Sequence, residues 1–484
     1  MMLRSIAFIC GAIQFGALQA ASAQAQRSAA STDTLRLSLE EAVTAGLRVA
    51  DEIRLATAQV DIAGAQLDAA RSALLPQLRI NSSFGRTFEN ARSSAVNPVF
   101  ATTNTYTANA NVTQTLFQGG RLVATVRAAG GLAEATRLNA EEQKALFTVQ
   151  VQRSYLEAVL AQRLADLQET NLALAAARLT QVQQFQNAGR AAQYDVLRAK
   201  VERANIEPLA IQARNDRDLA HVELKRLLNF PLERPLALTT TIDPDAAQML
   251  VASYVDTLAE PNRPALRSAE LVAQSRRLAV TAARAEFLPT ITAFFQTGFG
   301  AFPPLGFGLP TTRGFINRPI SCSPSAPAGA QCFAQNGGWF EDRSMGINLS
   351  WPLFDGLRAK SALELARAQT RIADVELHQE REQVAVEVAR ARAELQRARA
   401  VFDGRRETAT EAQEAFRLAS LRFSRGLSTQ LEVSDVQLAL LTAQSSEARA
   451  TFDLYLATAE LARALGRPIP LPAPSRAPVR GSNQ

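Results

Sequence analysis

The sequence has no long apolar run beyond its N-terminus, and it has few aromatic residues. A helix that crosses a bilayer needs about 20 mostly apolar residues. The lack of such a run after residue 25 therefore excludes a transmembrane helix. Aromatic residues make up 6% of the chain, whereas Ala, Leu, Gln, Arg and Glu are abundant. This composition is typical of long, closely packed helices and not of mixed globular domains.

Histidine is also scarce, and no catalytic or metal-binding constellation is visible. His221 and His378 lie far apart, without cysteine or acidic residues at ligand spacing. The Gly-Phe-Gly pieces at 298–300 and 306–308 lack the following helix and the Lys-Ser/Thr signature of a phosphate loop. We therefore predict that the protein is not an enzyme and uses no cofactor or metal.

The chain lacks a block of charge of one sign. Its formal net charge is +6, but Arg and Glu are mixed along the helical patterns and no aromatic residues are interleaved with the basic ones. A nucleic-acid groove needs a concentrated basic patch. We expect no nucleic-acid partner, and we expect most charges to lie on solvated helix faces.

Residues 1–25 have the features of a secretory signal peptide. Arg4 supplies the positive end, residues 5–20 form the apolar core, and the small residues at 21–25 provide the cleavage site. The mature protein is therefore expected outside the cytoplasm. Cys10 lies inside the apolar core and not at the cleavage site, so we do not expect it to carry a lipid.

Two cysteines remain after that cleavage, Cys322 and Cys332. Both lie in a segment rich in Gly, Pro and Ser, residues 303–340, which suits a long extracellular loop. No histidine or acidic cluster lies between them, and secreted proteins mature in an oxidising compartment. We therefore predict a disulfide in preference to a metal site.

The chain contains an internal duplication, which sets its predicted architecture. Leu-Leu-Pro at 74–76 is matched by Phe-Leu-Pro at 287–289, an offset of 289 − 76 = 213 residues. Leu-Phe-Gln-Gly at 116–119 is matched by Leu-Phe-Asp-Gly at 353–356, an offset of 356 − 119 = 237 residues that then persists to the end of the repeat. Repeat two therefore carries an insertion of 237 − 213 = 24 residues.

Both repeats have the same predicted order of elements: helix, two strands, a long helix and a returning helix. Repeat one, 26–230, is divided into helices at 37–75, strands at 78–117 and a long helical hairpin at 119–228. Repeat two, 264–466, is divided into a helix at 264–288, strands at 290–354 and a hairpin at 356–465. A linker with a short helix covers 231–263, and a proline-rich tail at 467–484 is predicted to be disordered. Pro208 is expected to kink or break the first returning helix.

The predicted strands are apolar on one face and polar on the other. Met345, Ile347, Leu349 and Trp351, for example, alternate with small and polar residues. Four such strands cannot close a barrel, and lipid does not tolerate free strand edges, so several copies of the chain would have to contribute. In a secreted protein this pattern favours the outer membrane of a Gram-negative cell. The alternative is a soluble β-sandwich carried on coiled coils.

The stretch 422–435 is interpreted as the tip of the second helical hairpin. Gly426 suits the position just past a helix C-terminus, and Thr429 suits the cap of the next helix. Glu432 fits a capping box with Thr429, and the helix dipole favours an acid there. Asp435 lies too far into the helix for that role, although it shares a face with Glu432.

These features together resemble the TolC-like outer-membrane efflux protein family over essentially the whole mature sequence. The features are the duplicated order, the Leu-Leu-Pro and Phe-Leu-Pro junctions, the two Leu-Phe-x-Gly turns and the tip motif Gly-x5-Asp/Glu-Val at Gly189 and Gly426. The resemblance implies a mostly α fold with a membrane β-barrel part. Each protomer of a homotrimer would give four strands to one twelve-stranded barrel, continued across the periplasm by an α-barrel of coiled-coil hairpins.

The resemblance also implies a function and partners. Such channels are the exit ducts of tripartite efflux pumps and type I secretion systems. Their partners are a periplasmic adaptor and an inner-membrane transporter. The tip residues that correspond to adaptor contacts are Gly189, Arg190, Gly426 and Leu427.

By the same resemblance, acidic residues close the periplasmic end of the pore. These acids correspond to Glu432 and Asp435, with Phe423 at the position of an aromatic residue of the constriction and Asp195 as a partner acid in repeat one. Ser428 stands where some members carry an arginine that holds the closed state. Three arginines are candidates for the role of that missing arginine: Arg422, Arg425 and Arg190.

Two functions remain open from the sequence. The first is a passive trimeric export channel that opens when an adaptor and a transporter engage its tip. A ring of carboxylates would make this channel cation-selective. The second is a periplasmic interaction protein, such as an adaptor with one coiled-coil hairpin, and the duplication argues against it.

Overall fold

A computed structural model describes the chain over the ranges 34–88, 104–241, 243–255, 262–301, 319–320, 332–333, 339–425 and 427–471. Several predictions lie outside these residues, namely the signal peptide, nearly all of the loop 303–340 and the position of Gly426. The disulfide predicted between Cys322 and Cys332 lies outside them as well, because Cys322 is not described.

Repeat one folds in the predicted order, with the first helical segment divided in two. Its elements are β1 (Leu35–Leu37), α1 (Leu39–Val49), α2 (Asp51–Ser72), β2 (Gln77–Arg86), β3 (Asn104–Gln118), α3 (Arg121–Asn187) and α4 (Gln193–Leu227). Ser38 begins α1 with a capping box: its hydroxyl accepts from the Glu41 N–H, and the Glu41 carboxylate accepts from the Ser38 N–H at 2.8 Å. Ala50 is extended and separates α1 from α2.

The connecting segment and repeat two follow. The connecting segment contains β4 (Leu236–Leu238) and α5 (Pro244–Val255). Repeat two consists of α6 (Pro264–Arg284), β5 (Thr290–Ala301), the two-residue strands β6 (Pro319–Ile320) and β7 (Cys332–Phe333), β8 (Trp339–Ser350), α7 (Arg358–Ser424) and α8 (Gln430–Ala464). A short 3-10 turn, Ala285–Phe287, joins α6 to β5.

Strands from both repeats form one antiparallel sheet in the order β2-β3-β5-β8. The central pairing of β3 with β5 joins the two repeats, and β2 and β8 are the edges of the sheet within the described chain. Met345, Ile347 and Leu349 of β8 are 83%, 71% and 63% exposed, so the apolar face of this strand has no covering within the protomer.

The helices form long rods beside that sheet. Helices α3 and α7 have 67 residues each, which corresponds to about 100 Å at a rise of about 1.5 Å per residue. Buried residues of α7 recur every seven positions, at Ala359, Ala366 and Ala373 and again at Val388, Leu395, Phe402 and Ala409. Such a repeat keeps one seam facing the neighbouring helix and produces the supercoil of a coiled coil. No helix in the described part of the chain is long and apolar enough to cross a membrane.

A break of the helix at Pro208 and the start of disorder at 467 are both wrong. Helix α4 is not broken at Pro208, which lies within its continuous span. A proline removes one backbone hydrogen bond, and the packing of α4 along α3 outweighs that loss. Disorder does not begin at 467 either, because Gln152 donates to the carbonyl of Pro470 at 3.2 Å and Ile469 packs against a hydrophobic core. The rest of the predicted tail, from 472, lies outside the described residues.

A small parallel sheet near the N-terminus was not predicted. Residues 35–37 of β1 pair with residues 236–238 of β4. The buried hydroxyl of Tyr155 donates to the carbonyl of Leu37 at 2.8 Å and accepts from the Thr240 N–H at 3.1 Å, so this side chain fixes both strands to α3. Three-residue strands are too short for an alternating pattern to be recognised in the sequence.

A buried ion-pair cluster joins the two repeats in the middle of the rods. Arg263 donates to Glu142 of α3 at 2.8 Å and to Glu387 of α7 at 2.5 Å, and Arg463 of α8 lies 3.5 Å from each carboxylate. Burial acts to raise the pKa of Glu387, but hydrogen bonds from Gln383 and Arg263 and the charges of both arginines lower it. The paired charges connect α3 with α7 and α8.

Candidate functional site

The tip of repeat one closes α3 with a Schellman motif. The Gly189 N–H donates to the carbonyl of Gln186 at 2.9 Å, and the Arg190 N–H donates to the carbonyl of Phe185 at 2.7 Å. Gly189 has a φ of 71°, a left-handed conformation that glycine adopts without strain. The Arg190 guanidinium lies 5.1 Å from the centre of the Phe185 ring, a cation–π contact.

The tip of repeat two closes α7 in the same way. The Leu427 N–H donates to the carbonyl of Arg422 at 2.9 Å, which is the equivalent six-residue closure. Leu427 is 67% exposed. The two predicted tips are therefore present at equivalent places in the fold.

Glu432 does not complete the predicted capping box with Thr429. The Thr429 hydroxyl accepts from the Glu432 N–H at 3.3 Å, so the predicted cap is confirmed. The Glu432 carboxylate does not return the bond to the cap residue, as a capping box requires. It accepts from the Ser428 hydroxyl at 2.7 Å and lies 3.3 Å from the Arg422 guanidinium. Ser428 and Arg422 therefore bind the carboxylate in place of the backbone N–H of the cap residue.

That contact identifies which arginine lies beside Ser428. Arg422 is the one of the three candidates that reaches an acid of the tip, and its guanidinium also donates to the Leu427 carbonyl at 3.5 Å. The Arg190 guanidinium lies over the ring of Phe185 instead. Within the described residues, Arg425 has no carboxylate within 4.0 Å.

The remaining predicted acids take no part in the contacts that hold the Glu432 carboxylate among the described residues. Asp195 accepts from the Ala192 N–H at 3.1 Å and so serves the start of its own helix, α4. Asp435 is exposed, and Phe423 is half-buried at the end of α7. Any constriction that uses these side chains requires more than one copy of the chain.

Asp435 lines a groove between the two returning helices. The groove has a volume of about 1050 Å³, with walls from α4 and α8 and a floor from Gln168 and Asn171 of α3. Arg198, the repeat-one counterpart of Asp435, lines the opposite wall. Equivalent positions of the two repeats, Arg198 and Asp435, therefore place a positive and a negative charge on opposite walls of one groove.

A buried arginine beneath this groove joins the two hairpins. Arg178 of α3 is 11% exposed, and it donates to the hydroxyl of Ser434 on α8 at 2.7 Å. It also lies 3.6 Å from the carboxylate of Glu202 on α4, to which Ser434 donates at 3.3 Å. Burial lowers the pKa of Arg178, and the charge of Glu202 opposes that change. One turn further, Gln437 donates to Asn171 at 2.7 Å.

The sequence analysis missed this network, although a signal for it exists in the duplication. The repeat-two counterparts of Arg178 and Glu202 are Ala415 and Ala439, and the repeat-one counterpart of Ser434 is Leu197. A polar residue at a helix-packing position in one repeat, where the other repeat has an apolar one, indicates a contact between the repeats. Comparing the repeats position by position would have found it.

The duplicated hairpins and their shared four-stranded sheet match a known family. The model of that family, described as outer membrane efflux protein, matches residues 47–229 and 257–467. The chain belongs to the outer membrane efflux protein family. The resemblance to TolC-like channels is thereby confirmed, and so is the mostly α fold class with a β part. The family description assigns the chain to efflux proteins of an outer membrane.

Solved structures of outer-membrane channels have the same fold. VceC from Vibrio cholerae is 18% identical with a TM-score of 0.67, over 89% of this chain and 97% of that one. The Campylobacter jejuni CmeC channel is 15% identical with a TM-score of 0.68, over 88% and 85% of the two chains. The open state of Neisseria gonorrhoeae MtrE is 20% identical with a TM-score of 0.63, over 89% of each chain. A comparison with curated proteins by sequence gave no match.

Proposed function

We propose that three copies of this outer membrane efflux protein form one exit duct of a tripartite efflux pump or a type I secretion system. The sheet supports a closed assembly, because β2 and β8 are its outer strands in the described part of the chain and one face of β8 is apolar. Lipid does not tolerate unpaired strand edges, so β8 of one copy would pair with β2 of the next. Three copies would then give a twelve-stranded barrel, continued by the helical rods.

The repeat-two tip is the proposed gate. One observation carries this proposal: the carboxylate of Glu432 is held by Ser428 and Arg422 at the end of its hairpin, whereas the equivalent acid in repeat one only caps its own helix. Around a threefold axis, Glu432 and Asp435 would place six carboxylates at a narrow throat, with Phe423 beside them. A confined ring of one charge sign selects cations and binds divalent ions.

The same tips are the proposed docking points of a periplasmic adaptor. Leu427 is exposed at the end of one hairpin, and Gly189 and Arg190 form the end of the other. An adaptor that engages both tips can draw the repeat-two hairpin away from the axis. Gly426 belongs to this surface by its place in the sequence. A periplasmic adaptor as the function of the chain itself is not favoured, since the chain belongs to the channel family.

Planar-bilayer conductance tests the acidic throat. We expect the wild-type protein to form cation-selective pores that divalent ions block, and we expect Glu432→Ala/Asp435→Ala to lose both properties. The matched control is Asp216→Ala/Glu376→Ala, which removes two carboxylates of the rods that have no ion-pair partner within 4.0 Å among the described residues. Selectivity and block that survive in the tip variant would contradict the acidic throat. Recovery of the protein in the soluble periplasm would contradict the channel itself.

A further inference from the structure

Four arginines line a groove directly below the sheet in repeat two. The groove lies between α6 and α7 and has a volume of about 380 Å³. Its lining residues are Arg277, Val280, Thr281, Arg284, Arg367, Thr370 and Arg371. Every polar side chain of this basic groove is therefore a hydrogen-bond donor, and none is a carboxylate.

Most of the positive charge in the basic groove is not neutralised. Arg277 pairs with Asp374 at 2.7 Å. Arg284, Arg367 and Arg371 have no carboxylate within 4.0 Å among the residues that the structure describes. The positive charges of the arginines that line this groove repel one another, so the groove favours binding of an anion.

The basic groove begins at the boundary between the sheet and the rods. Arg284 is the last residue of α6, and β5 begins at Thr290. Between them, Phe287 and Leu288 are each 45% exposed. Leu353, in the segment between β8 and α7, is 84% exposed. Apolar surface therefore lies above the arginines, at the level where the apolar band of the sheet ends.

The helix scaffold does not require these arginines. In repeat one the equivalent helices α2 and α3 pack together in the same way. The counterparts of Arg277, Arg367 and Arg371 there are Gly64, Gly130 and Glu134. Arg284 alone is matched, by Arg71, which pairs with Asp68. The basic groove is thus specific to repeat two.

We propose that the basic groove binds the phosphate groups of an anionic phospholipid of the periplasmic leaflet. Guanidinium groups bind phosphate oxygens with two parallel hydrogen bonds, and they bind phosphate more specifically than an ammonium does. Arg277 and Arg284 are two helical turns apart, about 10 Å, so the groove has room for more than one phosphate. The acyl chains would lie against Phe287 and Leu288. Basic pockets at the membrane surface bind anionic headgroups in this way.

Lipid retention by the purified full-length protein tests the proposal. The protein is exchanged into mixed micelles of detergent with either phosphatidylglycerol or phosphatidylcholine, and bound lipid is counted by native mass spectrometry. We expect wild type to retain phosphatidylglycerol in preference, and Arg367→Gln/Arg371→Gln to lose at least roughly tenfold in apparent affinity, because the loss of even one charge-assisted hydrogen bond has an effect of that size. Thermal unfolding in the two micelles should show the same preference as a higher midpoint with phosphatidylglycerol.

Three controls keep the result interpretable. Arg54→Gln/Arg71→Gln removes two arginines from the repeat-one helix α2 and should leave the preference unchanged. Arg367→Lys/Arg371→Lys keeps the charge and should retain part of the affinity. The single variant Arg284→Gln should also weaken lipid binding, and it replaces Arg367→Gln/Arg371→Gln in the test if that double variant does not fold. Equal retention of both lipids by wild type, or unchanged retention by the double and single variants, would overturn the proposal. Stabilisation by inorganic phosphate equal to that by the lipid would assign the groove to free phosphate instead.

Discussion

The two hairpin tips have the same backbone and different chemistry. Both end in a six-residue closure, and both place an acid six residues after the tip glycine position. In repeat one that acid, Asp195, accepts from the N–H of its own cap residue. In repeat two it is Glu432, which is held by Ser428 and Arg422 while Thr429 provides the cap. Because Thr429 caps α8, the Glu432 carboxylate does not serve as the cap and can contact Ser428 and Arg422.

The second difference lies one turn further along the returning helices. Repeat one has Arg198 where repeat two has Asp435, and both line the groove between α4 and α8. Beneath it, Arg178 and Glu202 of repeat one hold Ser434 of repeat two. Repeat one therefore supplies the charged residues Arg178 and Glu202, and repeat two supplies the hydroxyl of Ser434 that hydrogen-bonds to both. We propose on this basis that repeat one is the fixed frame of the gate and that repeat two is the part that moves.

The largest effect is expected from Arg178→Ala. The change leaves the partly buried Glu202 carboxylate without its cation, which costs about 2 kcal/mol, less than a fully buried pair because Glu202 is 24% exposed. The repeat-two hairpin should then separate more easily, and single-channel recordings should show a higher open probability. Arg417→Ala, which removes an exposed arginine of α7 paired with Glu414, serves as the control. Equal behaviour of the two variants would contradict the frame role of repeat one.

A smaller effect is expected from Arg422→Ala. The Arg422–Glu432 pair is 58% and 42% exposed, so water screens it and its contribution is under about 1 kcal/mol. Open probability should rise modestly, and the rise should disappear at high salt because screening already weakens the pair there. Arg425→Ala removes a nearby charge that has no such contact and should leave the recordings unchanged. A salt-independent rise would assign the role of Arg422 to packing.

The smallest effect on channel opening is expected from exchanging the caps, because the change is confined to one helical turn at each tip. Thr429→Ala removes a side-chain cap and should destabilise the first turn of α8 by about 1 kcal/mol. Ala192→Thr should stabilise the first turn of α4 by a similar amount, since it gives repeat one the cap that repeat two has. Hydrogen exchange at the first turn of each helix measures both changes. Slower exchange in the Thr429→Ala variant would show that Glu432 had resumed the capping role.

The duplication made most of the fold predictable from the sequence. Pro76 and Pro289 end helices, alternation reveals the strands, and the tip motif locates the hairpin ends. Contacts between segments far apart in sequence were not predictable. The cluster of Arg263 with Glu142 and Glu387, for example, depends on the register of three helices, which no local pattern specifies.

The candidate site was predictable to a smaller extent. Its acids were found from the tip motif, but the exchange of roles between Thr429 and Glu432 depends on a guanidinium from the preceding helix. Likewise, Pro208 predicts a helix break when the local sequence is considered alone, but α4 packs along α3 and continues through it. Local rules predicted the backbone better than they predicted which partner each side chain would select.

Linking the two hairpins chemically tests the central claim most directly. Ser434 and Glu202 lie on different hairpins with their side-chain oxygens 3.3 Å apart. In a chain with Cys322 and Cys332 changed to serine, the pair Glu202→Cys/Ser434→Cys can be joined by a short bis-thiol-reactive linker. The control pair Arg203→Cys/Glu207→Cys lies within α4 alone. We expect the linker to keep the first variant in its low-conductance state in bilayers and to leave the control unaffected; channels that open fully with the two hairpins linked would contradict the account.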